Sequence, residues 1–181
     1  MFTRARISRL SVGTMFLAGS LALGLVAVSG ASPATSRVIA HPAYPACTAA
    51  GLVNWLNTQG QGAAGTIYYE LRFTNLSGHT CTLMGYPKVT AVNLSNGQLG
   101  GVAPKVTAYV HVVTLANGAT ARANLGIVQA GNFTPSVCHP TMAAGLRVYA
   151  PGQASAKIVP FPFAACAASN FSVLKIYPVT P

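Results

Sequence analysis

The chain has no aspartate and a single glutamate, Glu70, among 181 residues. That scarcity removes most familiar hydrolytic chemistry. A Ser-His-Asp triad lacks its acid in the usual form. Glycoside hydrolysis by paired carboxylates needs two acids and finds one. Carboxylate cages for calcium or magnesium cannot be assembled. Walker loops, GxGxxG and HExxH are also absent. The glycine-rich stretch GQGAAG, residues 60–65, leads into a strand pattern, whereas a phosphate cradle presents a helix N-terminus. It reads as a flexible turn. We therefore expect no enzyme and assign no catalytic, cofactor-binding or metal-binding residue. The alternative is a hydrolase with an unrecognised active site.

Charge of either sign is scarce too. Charged residues make up 7% of the chain and hydrophobic ones 51%, where ordinary globular domains carry about 25% charged. A charged disordered chain is excluded, as is a helical bundle with the usual Lys- and Glu-rich surface. Long apolar runs are lacking except at the start. There Arg4, Arg6 and Arg9 precede an uncharged run from Leu10 to Val28, ended by Ser29, Gly30, Ala31 and Ser32. Basic, apolar and small-residue zones in that order match an export signal. We place the signal at 1–31, with Ala34 as second choice for cleavage; an uncleaved anchor is the competing reading. No cysteine follows the run closely, so a lipid anchor is not expected. Without residues 1–31 the chain keeps eight basic residues against Glu70, a formal charge of +7. These bases are dispersed, so no nucleic-acid arm is present. Attraction to anionic cell-envelope polymers or lipid head groups would be diffuse. The mature chain should have no transmembrane segment.

What remains is rich in glycine, proline and strand formers, which suits a β-protein with frequent turns. Residues 32–46 are rich in Pro, Ala and Ser and read as a linker, and 47–181 as one domain. In TIYYELRFTN, Ile67, Tyr69, Leu71 and Phe73 alternate with Tyr68, Glu70, Arg72 and Thr74. VTAVNL and QLGGVA flank a Ser95-Asn96-Gly97 hairpin signal. In KVTAYVHVVTL the apolar face is read as Val106, Ala108, Val110 and Val112. LVNWL, ATARANLGIV, GLRVYA, AKIVPF and FSVLKIYPV supply further strands, with one helical turn expected near Pro140 to Gly145. The total is about eight or nine short strands, an all-β, immunoglobulin-like β-sandwich.

Four cysteines occur: Cys47, Cys81, Cys138 and Cys166. An even count in an exported chain points to disulfides. Three pairings are open. We expect Cys47–Cys81 and Cys138–Cys166, because the early pair brackets the first strands and the late pair the last. A zinc site using His79 and His139 is the rival, but H-x-C and C-H spacings fit structural zinc poorly. In CTLMGYP, Cys81 and Leu83 should point inward, and Tyr86 should pack at a corner. Glu70 is expected on a polar strand face, solvated or paired with Arg72. His111 reads as a surface imidazole and His41 as part of the linker. Tyr68 and Tyr109 are the exposed aromatics to test first for binding. Asn75, Asn93, Asn132 and Asn170 begin Asn-x-Ser/Thr triplets.

Several of these pieces recur at fixed spacing: Cys47, GAAG, FTNLSGHTCTLMGYP, VTLANGATARANL and CHPTMAAGLRVYAPGQ, then Cys166 and VLKIYPV. Together they resemble the DUF4232 family of exported or lipid-anchored actinobacterial domains. The resemblance spans nearly all of 47–181; Asn117 departs from it by replacing a common proline before a glycine. It implies an immunoglobulin-like sandwich in the cell envelope or medium and carries no catalytic residue. The expected function is a secreted, non-catalytic binding or structural module whose ligand the sequence does not name.

Overall fold

A computed structural model describes residues 43–181. The expected signal segment and the linker as far as residue 42, with His41, lie outside the described residues. Ten strands form: β1 (Leu52–Ala63), β2 (Thr66–Asn75), β3 (Cys81–Met84), β4 (Lys88–Val92), β5 (Gln98–Leu99), β6 (Val112–Leu115), β7 (Thr120–Val128), β8 (Pro140–Tyr149), β9 (Ala156–Cys166) and β10 (Leu174–Ile176). Two antiparallel four-stranded sheets, ordered β1-β2-β7-β10 and β5-β4-β8-β9, face each other, and β3 and β6 pair as a separate ribbon. Lettering β1, β2, β4, β5, β7, β8 and β9 as A, B, C, C′, E, F and G gives A-B-E against C′-C-F-G, with the last strand, β10, beside E where D would stand. That is the Greek-key order of an immunoglobulin-like sandwich.

Alternation explains the layers. Leu71 and Phe73 of β2, Ala121, Ala123 and Leu125 of β7, and Leu146 and Val148 of β8 all point into one shared core. Their strand neighbours Arg72, Arg122 and Arg147 point out, as period-two alternation requires. Burial of the large side chains at about 1.5–3 kcal/mol each is the main favourable term.

Both disulfides form as expected, Cys47–Cys81 and Cys138–Cys166, with Cα separations of 4.9 and 4.7 Å. Cys81 and Leu83 are buried, while Met84 stands out. Pro45 and Ala46, inside the expected linker, already lie along β3: Thr82 N–H donates to Pro45 O at 2.8 Å, and Cys47 N–H to Thr82 O at 2.9 Å.

Three local expectations change. First, strand pairing in KVTAYVHVVTL begins only at Val112, and Val113 and Leu115 are the buried positions. Upstream, only an isolated bridge joins Lys105 to Ile176, and the Tyr86 hydroxyl does the holding. It donates to Val106 O at 3.0 Å and accepts from Ala108 N–H at 3.2 Å. Tyr86 is thus a corner residue, as expected. Second, 140–145 opens strand β8, and the helical turns precede it, a 3-10 turn at Ala130–Asn132 and α1 at Pro135–Cys138. Pro135 suits a first helical position, left-handed His139 (φ 49°) ends the turn, and Pro140 opens β8. Third, most of GQGAAG is strand. The turn is Ala64-Gly65 alone, both with positive φ (46° and 75°), the type I′ geometry that follows strand twist.

Candidate functional site

The outer face of the β1-β2-β7-β10 sheet gathers polar and aromatic side chains in register. Across the strands, Trp55, Arg72 and Arg122 form one row, and Asn57, Glu70 and Asn124 the next. Gln61, Tyr68, Gly126 and Lys175 form a third. Arg72 is held from two sides. Its guanidinium lies 4.8 Å from the Trp55 ring centre, and its Nε donates to Glu70 Oε2 at 3.0 Å, with a second contact from Nη2. Trp55 is fixed in turn, its indole N–H donating to Thr74 Oγ1 at 3.0 Å. The Arg72 hydrogen bond holds the Glu70 carboxyl below its usual range; partial desolvation opposes this, and the Asn57 amide and the Arg122 charge reinforce it.

Lys175 crosses β7 to reach a ring on β2, its ammonium 4.9 Å from the centre of Tyr68. Gly126 makes that crossing possible. A Cβ there would sit 2.7 Å from Lys175 Cε and 3.1 Å from the Tyr68 ring.

The end of the β1–β2 hairpin shapes the surface. Thr58, Gln59 and Gly60 together face Tyr69 alone, a bulge that bends β1. Asn57 Oδ1 accepts from Gln59 N–H at 3.2 Å inside the bulge. The tip is pinned where Gly65 O accepts from Gln129 N–H at 2.9 Å and Asn132 Nδ2 at 3.1 Å. A depression of about 720 Å³ results, lined by the bent segment and by Tyr68, Glu70, Arg72 and Asn124. It lies within the size range of small-ligand sites, but its lining is polar. A smaller cavity of about 190 Å³, lined by apolar groups such as Ile67, Ile127 and Phe163, lies at the same end of the sandwich.

Of the residues singled out from the sequence, Glu70 is paired with Arg72 and Tyr68 belongs to this face. Tyr109 does not; it is 84% exposed in the loop before β6, where its ring stacks on half-buried His111. His79 is exposed, its Nδ1 3.2 Å from Ser77 O. All four cysteine sulfurs are bridged, and no cluster of three His, Cys, Asp or Glu side chains gathers among the described residues. Sequence reasoning missed Trp55, Arg122 and Lys175 as members of this face. Their outward parity is readable in LVNWL, ATARANL and VLKIY; the register that brings the strands together is not.

The fold and this face define an all-β, disulfide-linked sandwich domain with a polar, aromatic-backed sheet surface. Residues 47–180 match the family described as a domain of unknown function, DUF4232, and the chain belongs to that family. Comparison with curated proteins and with solved structures matches none of them. No helix among the described residues is long and apolar enough to cross a membrane.

Proposed function

We propose that this protein is exported and works as a non-catalytic binding module in the cell envelope or the surrounding medium. The outer sheet face carries the reading. It offers a preformed polar depression in which the one side-chain carboxylate is already committed to Arg72. A general acid or base needs a free titratable group near its working pH, whereas a binding surface needs fixed donors and acceptors. The two disulfides support the extracellular setting, since such bonds persist in oxidising compartments, and the Arg4-to-Ala31 segment supports export.

The test has two parts. Protein recovered from culture medium should begin near Ser32, and it should be retained by its own envelope fraction. Retention of Met1 in the membrane fraction would favour an uncleaved anchor. Turnover of ester, glycoside or peptide substrates that Glu70→Gln abolishes would replace the binding module with a hydrolase.

A further inference from the structure

We infer that the outer face of the β1-β2-β7-β10 sheet recognises an acidic polysaccharide, its acid groups on Arg122, Arg72 and Lys175 and its hydroxyls on Gln61 and Asn124. The inference rests on the binding-module reading and names the ligand class of that site. Its first support is charge placement. Arg72 and Arg122 are directly opposite across β2 and β7, where like charges repel. Glu70 offsets one of them and leaves Arg122, exposed at the sheet surface, without an ion-pair partner among the described residues. Lys175, on the neighbouring strand β10, pairs with Gly126, four residues along β7 from Arg122, and stands as a third cation two same-face rows away. An incoming anion relieves that repulsion.

Its second support is preorganisation. Trp55 and Glu70 fix Arg72, and Tyr68 with Gly126 fixes Lys175. Cations already held in place lose little freedom on binding. The exposed amides of Gln61 and Asn124 bond to nothing else among the described residues and border the depression. Fixed cations next to free amides match a ligand with both acid groups and hydroxyls.

Two other polyanions fit less well. Single-stranded nucleic acid is gripped by bases stacking on open aromatic faces, but Arg72 and Lys175 already lie over the rings of Trp55 and Tyr68. A bilayer is entered by protruding apolar groups. The most exposed of these, Leu94, Tyr109, Met142 and Met84, lie in the β4–β5 turn, the loop before β6, β8 and β3, none of them on this face.

Trp55 is the only tryptophan in the chain, so its emission reports directly on this face. The disulfide-bonded protein is titrated at low ionic strength with polygalacturonate, dextran, phosphatidylglycerol vesicles and single-stranded DNA. Polygalacturonate should change Trp55 emission saturably, and dextran should not. Arg122→Gln should weaken polygalacturonate binding about ten-fold, and Asn124→Ala about three-fold, as expected for losing a charged and a neutral hydrogen-bond donor. Lys88→Gln removes the same charge from the opposite sheet, where Lys88 lies over Tyr149, and should stay within about two-fold of the parent. Equal losses in Arg122→Gln and Lys88→Gln would overturn the site and leave only diffuse attraction. Tighter binding to vesicles or DNA than to polygalacturonate would overturn the ligand class. Retention by the envelope fraction with no Trp55 response to polygalacturonate would overturn this inference while leaving the binding module intact.

Discussion

Asn75 shows how one residue can bind three segments together. It is fully buried. Its Nδ2 donates to His79 O at 2.8 Å and Leu115 O at 3.0 Å, and its Oδ1 accepts from Ser77 N–H at 3.0 Å and Ser77 Oγ at 2.7 Å. Its backbone pairs with Gly118 and Ala119. The β2–β3 turn and β6 therefore share its side-chain amide, and the β6–β7 turn is held by its backbone. Asn75→Ala would leave buried polar groups unpartnered, at a cost of about 3 kcal/mol. Urea denaturation should show that loss, while exposed Asn170→Ala stays within about 0.5 kcal/mol of the parent. As a sequence, Asn75-Leu76-Ser77 reads as a glycosylation triplet. Only burial shows that its amide is already spent, and burial depends on distant partners such as Leu115. Asn93 is similarly engaged, accepting from the Ser95 and Gly97 amides. Asn132 and Asn170 remain exposed.

At the scale of elements, the two disulfides staple opposite ends of the sandwich. Cys47–Cys81 joins the segment before β1 to β3, beside the turn that Asn75 organises. Cys138–Cys166 closes the far end, where β8 begins and β9 stops. Gln153, in the β8–β9 turn, links that turn to the first staple, accepting from Ala49 N–H at 2.9 Å and donating to Cys47 O at 2.7 Å. Replacing Cys47 and Cys81 together by alanine should cost about 2–5 kcal/mol. Hydrogen exchange should quicken first in β3 and β6, with the Cys138 end still protected. A uniform rise across both ends would mean that the staples act only through the unfolded chain. Tyr86→Phe is the finer test, removing only the hydroxyl that anchors residues 106–108. It should cost about 1 kcal/mol and expose the Ala108 amide to exchange. The strands of β2 and β7 were legible because both faces alternate cleanly. The 106–110 segment was not. Apolar residues sit at alternate positions there too, but hydrogen bonds to Tyr86, twenty residues upstream, replace a ladder. The polar half of the candidate site was likewise readable from Tyr68, Glu70 and Arg72. Its other half depends on cross-strand register, which no local pattern encodes.

For the molecule as a whole, the lack of acids sets how stability responds to pH. Acid denaturation is driven mostly by carboxylates whose folded-state interactions are lost on protonation. This chain has one such side chain. The Glu70 carboxyl has a lowered pKa in the folded state, so it binds its proton less readily there than in the unfolded chain. Its stabilisation is present in full above the ordinary glutamate range and is lost as pH falls through the lowered value. The Glu70–Arg72 pair is about one-third exposed on each side, and exposed pairs contribute at most about 1 kcal/mol. Unfolding free energy measured by urea titration should therefore fall by no more than about 1 kcal/mol between pH 7 and pH 3. Glu70→Gln should begin slightly less stable at pH 7 and converge with the parent at the acid end, since both then lack the ionised partner. Arg72 and Arg122 keep their charge throughout, so the cationic row on the outer sheet face persists in acid. A steep acid transition in the parent that survives in Glu70→Gln would show that another group takes up the proton, and the single-carboxylate account would fail.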